Sequence, residues 1–193
     1  MTDPAAPRTR PKVTGEDALP GDPPRAALIE RMIRVDQAGE YGAVRIYAGQ
    51  LAVLGRGLAG EAVRTMAAKE REHLDTFDTL VAERHVRPTA LQPLWHVAGF
   101  ALGAATALMG PRAAMACTVA VEEVIDEHYA DQADRLGEDE KDLRATVEQF
   151  RADELEHRDE ALAHGARNAP GYELMTAAIK SGSRIAIWLS TRV

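Results

Sequence analysis

The chain has 193 residues, enough for one domain with a sizeable core; it is 46% hydrophobic, poor in aromatics at 5%, and carries a formal net charge of -7. That acidity disfavours a nucleic-acid partner. A single cysteine, Cys117, excludes a disulfide framework, a four-cysteine zinc site and a cysteine-ligated cluster within one chain, while long stretches with helical and no alternating periodicity predict an all-α fold.

Residues 1–24 hold Pro4, Pro7, Pro11, Pro20, Pro23 and Pro24 with little apolar content and no signal-peptide hydrophobic region, which predicts a disordered tail ahead of a folded domain over 25–193. The first helix starts near Arg25, and its face runs Ile29, Ile33, Gln37, Glu40, Val44, Tyr47, Leu51, Leu54 in steps of three and four. Glu40 interrupts an apolar stripe. Around it Ala38, Gly39, Gly42 and Ala43 are small, a composition that lets a neighbouring helix come close. Gly55 and Gly57 end the helix.

The second helix, about Gly60 to Glu83, has the face Val63, Met66, Ala67, Glu70, His73, Leu74, Phe77, Val81. Glu70 and His73 stand where hydrophobes belong, three residues apart, so one cation can touch both. A buried carboxylate without a partner is costly, and such a group shifts its pKa, pairs, or coordinates a metal. Next comes the least polar stretch, 91–110, with no Asp, Glu, Lys or Arg before Arg112. Its glycines and His96 keep it only modestly hydrophobic, so the expectation is a helix lying on a bilayer or against the bundle rather than crossing a membrane. A long connection of this kind also joins the helix pairs of a ferritin-like bundle.

The fourth helix, about Arg112 to Leu136, presents Met115, Thr118, Val119, Glu122, Ile125, Tyr129, Ala133 and Leu136 on one face, while Glu123 and Glu127 fall on another that reads as solvated. The fifth reads Leu143, Val147, Phe150, Glu154, His157, Ala161 and repeats the Glu-x-x-His spacing; Glu156 points away from that stripe. Four helices therefore place Glu40, Glu70, Glu122 and Glu154 in apolar faces, and two of them add His73 and His157. This is the inward-facing ligand set of a carboxylate-bridged dinuclear iron or manganese site. The Glu40–Glu70 spacing nearly equals that of Glu122–Glu154, as two similar helix hairpins would give.

Five segments carry a resemblance to a known family: RVDQAGEYGAVRIYAGQ at 34–50, RPTALQPLWHVAGFALGAATALMG at 87–110, AMACTVAVEEVIDEHY at 114–129, DELEH at 153–157 and SGSRIAIWLS at 181–190. Together they resemble the demethoxyubiquinone hydroxylases, over about Ile29 to Val193. The resemblance implies a ferritin-like four-helix bundle with two additional helices, a long apolar crossover helix and a C-terminal one. It implies hydroxylation of a prenylated demethoxyubiquinol ring with O2, late in ubiquinone biosynthesis, by two iron ions. The family's ligands fall on Glu40, Glu70, His73, Glu122, Glu154 and His157, with Glu70 and Glu154 bridging and Glu40 and Glu122 terminal, as in related dimetal bundles. The DEH run at 126–128 is a departure where family members vary, and it is assigned no role.

Two electrons must come from an external reductant; NADH is a candidate, although no dinucleotide-binding glycine motif is present. Each ligand imidazole needs an acceptor for its other nitrogen, and Asp36, Asp75 and Asp153 are the candidates. A polyprenyl substrate stays in the bilayer, which implies peripheral association: at the cytoplasmic face of the cell membrane for a bacterial chain, at the matrix face of the mitochondrial inner membrane for a eukaryotic one. A lipid-binding partner protein of the pathway is a candidate for presenting the substrate, and the oligomeric state is left open. The last helix, 172–192, has apolar residues and, after Glu173, only Lys180, Arg184 and Arg192 as charges, which suits either an anionic membrane surface or a closing helix on the bundle. Trp95 and Tyr129 either line the ring's path or serve as packing aromatics. Ferroxidase-type iron handling, manganese catalase and a non-catalytic membrane-binding bundle are the rival readings.

Overall fold

A computed structural model describes residues 23–193. The expected tail over 1–24 lies, but for its last two residues, outside the described residues. Six helices follow in order: α1 Arg25–Leu54, α2 Leu58–Glu83, α3 Gln92–Leu108, α4 Pro111–Arg135, α5 Lys141–Ala163 and α6 Tyr172–Ser190. Two short turns of 3-10 helix precede α5 and α6, and no strand occurs among the described residues.

α1 with α2, and α4 with α5, form two hairpins that pack into a ferritin-like four-helix bundle. α3 carries the chain between them, lying along α1 and touching α4; α6 closes on α4 and α1. The expected apolar faces are the buried ones: Ile33, Tyr47, Val63, Phe77, Met115, Val119, Leu136 and Val147 are almost fully enclosed. α1 is buried beyond this face as well, through Met32, Val35, Asp36, Gly49 and Gln50: Gly49 lies against Phe100 and Ala104 of α3, while Asp36 and Gln50 bond to Gln132 and the Ala114 carbonyl of α4. α4 is enclosed nearly all round, from Ala113 to Glu122 without interruption, as befits the one helix that meets α5, α6, α3 and α1.

Small residues set how closely α3 docks. A Cβ on Gly103 would run into the carbonyl of Ile46, and one on Gly49 into the carbonyl of Phe100, so both contacts are backbone against backbone. Gly39 behaves differently from the expectation that small residues near Glu40 admit a helix: a Cβ there would meet nothing within 4 Å. Gly39 makes room for a cavity instead. Gly42 shares both roles, with open space at its own Cβ position and its carbonyl 3.0 Å from where a Cβ on Gly99 would sit.

α6 also departs from one expectation. Lys180 pairs with Glu123 of α4, and Arg184 donates to Glu127 Oε2 at 2.9 Å, while the Arg192 guanidinium lies 3.9 Å from the Trp188 ring. The face of α4 that reads as solvated is thus the seat of α6, and all three cations have partners within the chain. Among the described residues no helix is long and apolar enough to cross a membrane.

Candidate metal centre

The stripe that buries Ile33, Val44 and Tyr47 carries Glu40 inward on α1; the same logic turns Glu70 and His73 inward on α2, Glu122 on α4, and Glu154 and His157 on α5. All six meet in the bundle core. Glu40, Glu70, His73 and Glu154 offer ligand atoms within 4.8 Å of one another, and so do Glu70, Glu122, Glu154 and His157. Glu70 and Glu154 belong to both groups.

Hydrogen bonding divides the oxygens further. Tyr129 OH donates to Glu40 Oε1, and Tyr47 OH donates to Glu122 Oε1 at 2.7 Å. Each of those carboxylates keeps one oxygen, Oε2, with no partner. Glu70 and Glu154 keep both oxygens unpartnered, and His73 and His157 each keep Nδ1. Eight orphaned atoms converge on one volume of a closed core, where an unsatisfied polar atom costs about 1–3 kcal/mol. A pair of hard cations satisfies this donor set: one free oxygen each from Glu40 and Glu122, two each from the shared Glu70 and Glu154, and one nitrogen from each histidine. The residues present therefore fit a dinuclear metal.

Without metal the same groups titrate abnormally. Burial pushes Glu70 well above the usual carboxylate range, helped by the charges of Glu154, Glu40 and Glu122; burial and Glu154 do the same to Glu122, and burial raises Glu154. Burial opposes charge on His73, yet its contacts with Glu154 and Glu40 carry it up to about 10, whereas burial lowers His157. His73 Nδ1 stands 3.2 Å from Glu154 Oε1 and 3.6 Å from Glu40 Oε2; His157 Nδ1 stands 2.9 Å from Glu70 Oε1.

A raised pKa means the folded, metal-free protein binds more protons than the unfolded chain, so stability falls as pH rises above the ordinary Glu range of about 4.3. Glu70, Glu122, Glu154 and His73 act in this direction, and His157 alone opposes them. The midpoint of thermal unfolding of metal-free protein is expected to drop between about pH 5 and 8, and added Fe2+ or Mn2+ to reverse the slope because the metal displaces those protons. A metal-free midpoint that climbs with pH would contradict this protonation scheme.

Of the three candidate acceptors behind the histidines, Asp153 fills the role for His73, with Oδ2 3.1 Å from Nε2; Lys69 and Gln149 hold the same carboxylate. Asp75 is exposed, and Asp36 lies on the other side of α1, 2.6 Å from Gln132 Nε2 and 3.1 Å from His128 Nε2. His128 and Gln132 are polar residues around the centre that the helical pattern did not single out, and Tyr47, placed on the inward face without a role, and Asp36, named only as a histidine acceptor, join them. For Tyr47 a signal existed: it follows Glu40 by seven residues, as Tyr129 follows Glu122. The two pairs cross, each tyrosine serving the other helix's glutamate. Burial raises both tyrosines well above their usual range, with Glu122 next in weight at Tyr47 and Glu40 at Tyr129.

A cavity of about 480 Å³ opens between α1, α3, α4 and α6 and reaches the centre at Glu40 and Tyr129. Both aromatics expected near a substrate path line it. Trp95 stands in its wall with Nε1 donating to Ser190 Oγ at 3.0 Å, which ties the start of α3 to the end of α6.

A ferritin-like bundle whose core gathers two overlapping carboxylate–imidazole groups able to hold metal is the architecture of the dinuclear carboxylate proteins. Within that class the chain belongs to the family described as ubiquinone biosynthesis protein COQ7, whose model matches residues 27–190. It is 65% identical over 181 residues to a 3-demethoxyubiquinol 3-hydroxylase of Rhodospirillum rubrum, covering 93% of this chain and 85% of the relative. Two proteins named NADPH-dependent 3-demethoxyubiquinone 3-hydroxylase, mitochondrial, are similar as well. The one from Dictyostelium discoideum is 54% identical over 169 residues, 86% of this chain and 78% of the relative. The one from Homo sapiens is 51% identical over 171 residues, 86% and 79%.

Proposed function

We propose that residues 25–193 form a hydroxylase of ubiquinone biosynthesis that adds one oxygen atom of O2 to the ring of a prenylated demethoxyubiquinol. Two iron ions would be held by Glu40, Glu70, His73, Glu122, Glu154 and His157. What carries the reading is the convergence of the orphaned ligand atoms at the inner end of an apolar cavity, in a chain whose relatives are named for this reaction. Bound iron supplies the electrons and Lewis acidity that activate O2. The second oxygen atom leaves as water, with two electrons from a reduced nicotinamide nucleotide; the sequence suggested NADH, and the relatives' names say NADPH.

The chain's own contribution is placement and exclusion. Val35, Ile125 and Ile179 wall the cavity with hydrocarbon, so the ring is held away from water while the tail leads outward. Tyr129 stands beside Glu40 in the cavity wall and keeps that carboxylate turned to a fixed side by its donated hydrogen bond. Near the Trp95–Ser190 contact, Leu94 and Val97 on α3 and Trp188 on α6 are 52%, 65% and 54% exposed. Such apolar groups at a cavity's rim suit a bilayer surface, from which a prenylated substrate enters; the membrane is the cytoplasmic one in a bacterium and the inner one in a mitochondrion.

Anaerobic single turnover tests this: protein loaded with iron and chemically reduced is mixed with a short-chain demethoxyubiquinol, labelled O2 is added, and the ring product is weighed. Gain of one labelled oxygen is expected. Iron oxidation without ring oxygenation, repeated across tail lengths, would favour a ferroxidase-like role. The cavity has its own test in Gly39→Leu, where the new side chain enters open space. Substrate binding is expected to fall more than tenfold while metal content holds, and the helix gains up to about 1 kcal/mol from losing an interior glycine. Unchanged turnover in that variant would place the substrate elsewhere.

A further inference from the structure

The cavity is apolar except for a few groups. Glu40 and Tyr129 are bonded to each other, Ser190 takes the Trp95 N–H, and Ser183 sits on α6; the remaining polar wall is Asp36 and His128. Asp36 is 2% exposed, and its Oδ1 accepts from Gln132 Nε2 at 2.6 Å and faces His128 Nε2 at 3.1 Å. Gln132, one helical turn beyond His128 on α4, is itself buried. The imidazole is thus held by a buried carboxylate and a buried amide on two helices, an expensive arrangement for a side chain with only a packing role. Gln132 Nε2 also stands 2.8 Å from His128 Nε2, but a bond to a carboxylate is the stronger of the two contacts and favours the tautomer with the proton on the histidine Nε2, which leaves Nδ1 a free lone pair. Among the described residues Nδ1 has no hydrogen-bond partner, and Asp36 Oδ2 has none either.

Building on the hydroxylase reading, we propose that His128, fixed by Asp36 and Gln132, is a positioning residue that accepts a hydrogen bond from one free ring hydroxyl of the substrate. His128 immediately precedes Tyr129, whose hydroxyl is bonded to a ligand carboxylate, so a ring anchored at His128 lies against the wall nearest the metal-binding groups. A flat ring in a hydrocarbon slot can otherwise slide and flip; one directional bond on an otherwise apolar wall removes that freedom and decides which ring carbon faces inward. It also selects ligands. A site built to bond a hydroxyl discriminates strongly against an analogue that lacks it, because its buried polar groups are then left unpaired.

The test is an anaerobic equilibrium titration, followed through quenching of the cavity-lining Trp95, with a short-chain demethoxyubiquinol and each of its two mono-methyl ethers. Wild-type protein is expected to bind the quinol and one ether within a few-fold of each other, and the other ether at least tenfold more weakly. In His128→Phe the quinol is expected to lose about tenfold and the discrimination between ethers to vanish, while His128→Gln, which keeps an acceptor, retains part of it. Equal binding of both ethers by wild type, or discrimination that survives in His128→Phe, would overturn the assignment, and the wild-type arm stands even if a variant folds poorly. Failure of wild type to bind the quinol or either ether would instead overturn the hydroxylase reading on which the assignment rests.

Discussion

Glu154→Ala is expected to lose turnover by about a thousandfold or more and to lose metal from both halves of the centre together. Glu154 contributes to both ligand groups and has neither oxygen engaged elsewhere, so no remaining residue can take over its two positions. Several kcal/mol of transition-state stabilisation by a bound metal corresponds to about three powers of ten in rate. Glu122→Ala provides the contrast, since Glu122 belongs to one group only and one ion per chain should remain. Without metal the stability order inverts. Removing one of four crowded carboxylates relieves desolvation, and metal-free Glu154→Ala should unfold at a higher temperature than metal-free wild type. Metal content by elemental analysis, and helicity by circular dichroism, separate these outcomes from simple unfolding; full loading with two ions would remove Glu154 from the ligand set.

The second large effect is structural. Gly103→Val should cost about 3 kcal/mol, because the added carbons meet the Ile46 carbonyl and the Gln50 amide, which are backbone of α1 and cannot swing aside. For a chain of this length that lowers the unfolding midpoint by roughly 10 °C. The damage should reach the cavity, since α3 supplies Trp95, Ala98, Gly99 and Leu102 to its wall. Substrate affinity is expected to fall while metal binding, built entirely on α1, α2, α4 and α5, persists. Thermal unfolding of Gly103→Val beside Gly182→Ala, whose new methyl meets nothing, decides the matter; equal midpoints would mean that α3 docks less tightly than its glycines indicate.

The core of the site was legible in the sequence for a physical reason. Glu40, Glu70, His73, Glu122, Glu154 and His157 each occupy a position that a 3.6-residue period assigns to hydrocarbon, and the period alone locates them. Asp36 and His128 were less legible as a pair because what engages each comes from another helix, Asp36 of α1 meeting His128 and Gln132 of α4, and a pattern along one helix carries no record of a partner contributed by another. Gln50 escaped for the same reason. Lys180 and Arg184 on an apolar helix suited either a membrane surface or a closing helix, and their partners show the closing helix: Glu123 and Glu127 on α4, which read as solvated, pair with them. Gly39 could be read as small but not as empty, since space is a property of what fails to arrive.

The way the two ligand groups draw on the chain bears on when the protein becomes chemically dangerous. One takes residues from α1, α2 and α5, the other from α2, α4 and α5, so neither hairpin holds a full set by itself. A nascent or half-assembled chain therefore lacks the means to capture a pair of redox-active ions, and cannot reduce oxygen to no purpose. Bound ions would act as a clasp between the hairpins, linking segments more than a hundred residues apart in the case of Glu40 and Glu154. Reactivity would thereby be licensed by completed assembly, and the ions that confer it would also guard the shape that restrains it.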